Sequence, residues 1–172
     1  MWQIYGQERL LRQLEPSLAQ DRLSHACLLV GPPHVGKMTL ALNLAQAVNC
    51  LQGPGVPCGS CSQCSRIADH LHSDVRVVSV PSDRRGESRG RPTVIGIDDI
   101  KDVLRSVSLT PFEGAKIVII IDGGESMSPE AANALLKTLE EPPPRVMFLV
   151  LTSDEEAVLP TIRSRCQAFS LL

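Results

Sequence analysis

ACLLVGPPHVGKMTLALN, residues 26–43, is the stretch on which the reading of this chain turns. Cys27 to Val30 are apolar and bounded by a turn, as a buried strand requires. Gly31-x-x-x-x-Gly36-Lys37 is a phosphate-loop pattern, and Leu40, Leu42 and Leu44 open an apolar helix directly behind it. Strand, glycine loop and helix in that order bring free backbone N–H groups and the positive end of a helix to bear on one anion. Gly31 and Gly36 let the backbone wrap without a Cβ clash, and Lys37 reaches the terminal phosphates as a point charge. Pro32, Pro33, His34 and Val35 complete the loop, with His34 read as facing solvent. One position breaks the pattern. The residue after the lysine should be Ser or Thr, whose hydroxyl holds Mg²⁺, and here it is Met38. Thr39 comes one residue late, a rotation of about 100° on a helix, and points to a phosphate rather than to the metal.

The 172 residues fit one domain. With 43% hydrophobic and 21% charged residues the composition is that of a globular protein, neither disordered nor membranous. Apolar runs such as Ile117 to Ile121 are too short to span a bilayer, and the first residues lack the layout of a signal peptide. The expected location is therefore cytoplasmic, away from membranes. A net charge of −2 gives no basic nucleic-acid footprint, although contacts through helix termini or a larger assembly stay open. Six cysteines in a reducing compartment point to metal or burial rather than disulfides.

Leu10, Leu11, Leu14 and Leu18 have helical spacing, with a kink or break expected near Glu15 because of Pro16. The phosphate-loop helix should end near Val48. Ser65–Leu71 reads as a short helix, Val75–Val80 as a strand, and the polar stretch 81–92, with four arginines, as a mobile, solvated surface loop. A helix starts at Ile97. Residues 116–122 form a β-branched strand covered on both faces. Ser128-Pro129 caps the next helix, which stops at Pro142–Pro144. Val146–Leu151 and Ala168–Leu172 are strands, with a helical segment, Glu155–Arg163, between them. The alternation gives an α/β fold, a five-stranded parallel sheet with helices on both faces, whose ligands bind at the carboxyl ends of the strands.

Two more groups carry chemistry. Asp122 ends an apolar strand in the manner of a Walker B acid, which orients a magnesium-bound water. Cys50, Cys58, Cys61 and Cys64 fall within one Gly- and Pro-rich excursion, residues 50–64, as two overlapping C-x-x-C units plus one thiolate. Four thiolates at this spacing suit a closed structural Zn²⁺ site better than a redox pair, and a loop with no core of its own needs such a staple. Cys27 and Cys166 read as buried thiols.

Taken with AANALLKTLEEPP (131–143) and TIRSRC (161–166), these motifs make the chain resemble the clamp loader subunits of bacterial DNA polymerase III over essentially its whole length. The resemblance implies an AAA+ P-loop module spanning 1–172, with a zinc-binding insertion at 50–64; members continue into lid and collar domains that lie outside this chain. In ATP-hydrolysing members Thr follows the lysine and Glu follows the Walker B acid, whereas this chain has Met38 and Gly123. Those two departures favour the delta-prime subunit, a stator that hydrolyses little or no ATP, over the gamma/tau ATPase. By the same resemblance Arg165 would act in trans on ATP bound to a neighbouring subunit, and Thr152 would occupy the sensor-1 position. ATP or ADP would bind at Gly31–Thr39 with Asp122, and Met38 argues against Mg²⁺. The implied partners are gamma/tau and delta subunits and, through the complex, the sliding clamp and primed DNA. A gamma/tau-type ATPase is the alternative, and a nucleic-acid-binding zinc ribbon with a relic P-loop is a further one.

Overall fold

In the computed structural model, residues 1–80 and 94–172 are described. The helices are α1 (Glu8–Ala19), α2 (Lys37–Asn49), α3 (Ser62–Ala68), α4 (Ile97–Val107), α5 (Pro129–Glu140) and α6 (Pro160–Arg163). The strands are β1 (Ala26–Val30), β2 (Val75–Ser79), β3 (Ile117–Asp122), β4 (Val146–Thr152) and β5 (Gln167–Ser170). They form one parallel sheet in the order β2-β3-β4-β1-β5. The arginine-bearing loop expected at 81–92 lies outside the described residues.

Side-chain alternation along the strands divides the core cleanly in two. Cys27, Leu29, Val118, Ile120, Leu149 and Leu151 face α1 and α2. Their neighbours Leu28, Ile119, Ile121, Phe148 and Val150 face α4 and α5. Every residue of β4 is buried, which is why these strands read as continuous apolar runs rather than as alternating ones. β4 lies between β1 and β3, so its carboxyl end separates the P-loop from Asp122: Val30 is level with Thr152, and Asp122 with Leu151.

Two expectations are corrected. Helix α1 runs unbroken through Pro16. Proline removes one donor and crowds the carbonyl one turn back, but Gln20 N–H closes onto the Pro16 carbonyl at 3.1 Å, and the buried Leu14 and Leu18 hold the helix on both sides. The segment from Glu155 to Arg163 is a single 3₁₀ turn, Glu155–Ala157, followed by α6. Its second half starts at Pro160, which suits the first position of a new helix.

Polar side chains on α2 pin the rest of the chain to this frame. Asn43 Oδ1 accepts from Gln3 N–H at 2.7 Å, Gln46 Nε2 donates to the Cys64 carbonyl at 2.8 Å, and Asn49 Oδ1 accepts from Lys116 N–H at 2.8 Å. All three residues are buried, so each bond also removes the penalty of an unpaired polar group. The loop before β3 is fastened a second time. The buried Asp74 carboxylate accepts from the N–H groups of Phe112, Glu113 and Gly114, each at 2.7 Å. His72, whose ring pairs with Gln63, is driven toward its neutral form by burial.

Candidate functional site

The P-loop leaves β1 at Gly31, whose N–H donates to the Thr152 carbonyl at 3.1 Å. A side chain at Gly31 would place its Cβ 2.9 Å from the Leu171 carbonyl and from Val35 Cγ1. Gly36 sits at φ +97° and caps α2, against which Ile4 packs. Both glycines are therefore required, the first by close approach and the second by its left-handed backbone. The amides at the start of α2, those of Lys37, Met38 and Thr39, have no partners within the helix, and they open into a cavity of about 480 Å³ lined by Pro33, His34, Gly36, Lys37, Met38, Thr39, Asp122 and Ser153. Lys37 Nζ arches back over the loop and donates to the carbonyls of Gly31 (2.5 Å) and Pro32 (2.8 Å). Those carbonyls are weak competitors for a lysine that an anion would claim.

The donor set fits the phosphates of a nucleotide and fits Mg²⁺ poorly. Met38 packs against the apolar cluster beneath α2 while lining the cavity, and a thioether is a poor ligand for a hard cation. Asp122 is exposed and lines the cavity. The next residue is more than a missing side chain. Gly123 holds φ +98°, its N–H donates to the Leu151 carbonyl at 3.1 Å, and its carbonyl accepts from Ser126 N–H at 2.8 Å. The turn that follows, Gly124–Ser126, is pinned by Ile95, whose N–H donates to the Ser126 carbonyl at 2.8 Å. Backbone conformation and side-chain loss thus go together at this position. Glu125 is exposed on that turn and does not line the cavity.

Thr152 is buried, and its hydroxyl donates to the Asp154 carbonyl at 2.8 Å and accepts from Asp154 N–H at 3.1 Å. Ser153, rather than the Thr152 singled out from the sequence, is the residue from this strand end that lines the cavity. Arg165 lies away from the cavity and is engaged locally. Its Nε donates to Glu140 Oε1 at 3.0 Å, Nη2 donates to the same oxygen, and Nη1 donates to the Thr161 carbonyl at 2.8 Å.

The four cysteines form a second centre. The Sγ atoms of Cys50, Cys58, Cys61 and Cys64 all lie within 4.8 Å of one another. A tetrahedral thiolate site with bonds of about 2.3 Å has sulfur–sulfur edges of about 3.8 Å, and Cys58 and Cys64 stand 4.0 Å apart. Metal-site geometry is thus present, with all six cysteines free. Backbone N–H groups point at the sulfurs, from Ser60 (3.4 Å) and Cys61 (3.3 Å) to Cys58 and from Cys64 to Cys61 (3.5 Å). The N–H of Ser60, then that of Cys61, brings the Cys58 thiol down to about 6. Burial pushes Cys61 up, but donors from Cys64 and Leu51 outweigh it and leave the thiol lowered. Burial raises Cys64 to about 12. Gly59, at φ +79°, makes the turn between Cys58 and Cys61. Burial also pushes Cys27 and Cys166 up, to about 12 and about 11, as inert thiols require.

The comparisons agree with this architecture. Tau subunits of DNA polymerase III from Bacillus subtilis and Escherichia coli are 37% and 36% identical to the chain, over 96% and 98% of its length. The chain covers 28% and 25% of those two proteins. Among solved structures, a DNA polymerase III gamma subunit-related protein from Thermotoga maritima superposes with a TM-score of 0.63 at 26% identity, over 96% of this chain and 45% of that one. The RuvB Holliday junction branch migration motor of the same organism shares the AAA+ fold, with a TM-score of 0.54 at 20% identity over 95% of this chain and 43% of its own. These relatives carry tau and gamma names, so sequence similarity favours the gamma/tau alternative and gives no support to the delta-prime preference drawn from Met38 and Gly123. Among the described residues no helix is long and apolar enough to cross a membrane. A family model described as DNA polymerase III, delta subunit, matches residues 6–172, and the chain belongs to that family.

Proposed function

We propose that the chain is the nucleotide-binding AAA+ domain of a DNA polymerase III clamp loader subunit, of gamma/tau type by relationship. It would act in ATP-dependent loading of the sliding clamp at primed DNA. The observation that carries this reading is the cavity where the α2 amides and Lys37 meet Asp122, in a chain 36–37% identical to tau subunits. Lys37 and the amides hold phosphate. Residues 50–64 form an insertion whose four thiolates hold Zn²⁺, and the metal supplies the cross-links that the loop cannot obtain from packing.

A delta-prime-like stator is the second reading, and Met38 with Gly123 favours it. Both departures fall on metal and water and spare phosphate, so in this reading the chain's own hydrolysis is slow. Catalysis then takes place on a neighbour's nucleotide, with Arg165 as the transferred cation, since a guanidinium suits charge spread over phosphoryl oxygens. Steady-state hydrolysis separates the readings. Turnover by the purified chain, abolished by Lys37→Ala, favours the gamma/tau type. A silent chain whose Arg165→Ala variant slows the assembled complex favours the stator. If neither substitution alters nucleotide binding or the ATPase of the complex, the proposal falls.

A further inference from the structure

Glu140 occupies a place where helix electrostatics disfavour it. It is the last residue of α5 and is followed by Glu141, at the end of a helix where the macrodipole favours cations. What offsets it is Arg165. Glu140 Oε1 accepts from both Nε and Nη2 of the guanidinium, while Nη1 donates to the Thr161 carbonyl at 2.8 Å and to Ser164 Oγ at 3.3 Å. Thr161 lies in α6, so the guanidinium also meets a carbonyl at a second helix end, one that Ser164 Oγ joins it in donating to at 3.3 Å. A guanidinium has five N–H groups. Here its Nε edge is clamped by the carboxylate, Nη1 is fixed to α6, and one N–H of Nη2 has no partner among the described residues. With 32% of the arginine side chain and 50% of the glutamate side chain exposed, the pair stands at the surface, where a neighbouring subunit's anion can reach it.

We infer that Glu140 is a positioning residue for Arg165: it holds the Nε edge so that the remaining N–H of Nη2 is presented to phosphate on an adjoining subunit. The inference rests on the proposed trans role of Arg165 and adds a second residue that touches neither substrate nor metal. An arginine on a free side chain must be ordered anew at each turnover, whereas one clamped by a carboxylate is oriented beforehand.

The test uses the full-length subunit in its assembled clamp loader, with ATPase measured for wild type, Glu140→Ala, Glu140→Gln, Arg165→Ala and the double variant. Coupling between contacting residues predicts that Glu140→Ala lowers kcat by about ten-fold, with the KM for ATP unchanged. Glu140→Gln, which keeps an acceptor oxygen but loses the charge, falls between it and wild type. In the Arg165→Ala background, removing Glu140 has no further effect. A merely structural Glu140 would instead lower the unfolding temperature and slow both backgrounds by the same factor, and that result overturns the inference, as does an unchanged or faster Glu140→Ala complex. If Arg165→Ala alone leaves the rate intact, the trans reading itself is what fails, and the inference goes with it.

Discussion

Replacing Gly123 with alanine asks whether the position after the Walker B acid is built for glycine or has simply lost a glutamate. The residue holds φ +98°, and both its N–H and its carbonyl are hydrogen-bonded within 3.1 Å. An added Cβ would lie 3.5 Å from Ser126 Oγ, an ordinary contact, so the penalty is conformational rather than steric. Holding an L-residue in the left-handed region costs about 1–2 kcal/mol. For a chain of this size each kcal/mol moves the melting temperature by about 2–4 °C, so Gly123→Ala should melt about 2–8 °C below wild type. Gly123→Glu should show the same loss. Gly124→Ala should also destabilise, by a different route, because its Cβ would sit 2.5 Å from Val150 Cγ1 in the packed sheet face. Urea and thermal unfolding followed by circular dichroism give the three numbers. A Gly123→Ala variant as stable as wild type would refute the reasoning: the backbone would then be free to adopt an ordinary conformation, and the missing glutamate would be a side-chain deletion alone.

The metal centre predicts about one zinc per chain by elemental analysis, lost on Cys64→Ser, and a metal-free, folded, reduced preparation would contradict it. In chelated protein Cys58 should alkylate with a midpoint near pH 6. The fold lowers its pKa, so the thiolate is present above that pH, where an unfolded chain still carries the thiol; a midpoint near the ordinary thiol value would contradict the N–H···S geometry. Asp74→Asn replaces a carboxylate that accepts three backbone N–H groups. It should cost about 1–3 kcal/mol in urea unfolding, and a neutral result would show that the loop before β3 holds itself.

Much of this was legible in the residues because the pattern was local. The β-branched run before Asp122, the glycine loop and the Ser128 cap each declare themselves within a few positions, and Ser128 Oγ does accept from Ala131 N–H, at 3.1 Å. Pro16 misled because propensity counts the lost donor but cannot see Leu14 and Leu18 buried on both sides. The contacts that sequence reasoning missed are long-range. Asn49 reaches across 67 positions to Lys116 and Arg165 across 25 to Glu140, and no periodicity encodes such pairs. Gly123 was legible as an absent glutamate, but its left-handed backbone appears only once Leu151 and Ser126 are in place around it. Subunit type divides along the same line: two residues at the site argue one way, and similarity spread along the whole chain argues the other.

The central claim is that the P-loop retains its phosphate cradle while the hydroxyl after Lys37 and the glutamate after Asp122 are replaced by Met38 and Gly123. Titrating ATP into the purified chain with and without Mg²⁺ tests it most directly. The account predicts binding that Lys37→Ala abolishes and that Mg²⁺ leaves unchanged, with Mg²⁺ dependence appearing in Met38→Thr. Tight binding by wild type that requires Mg²⁺ would contradict it.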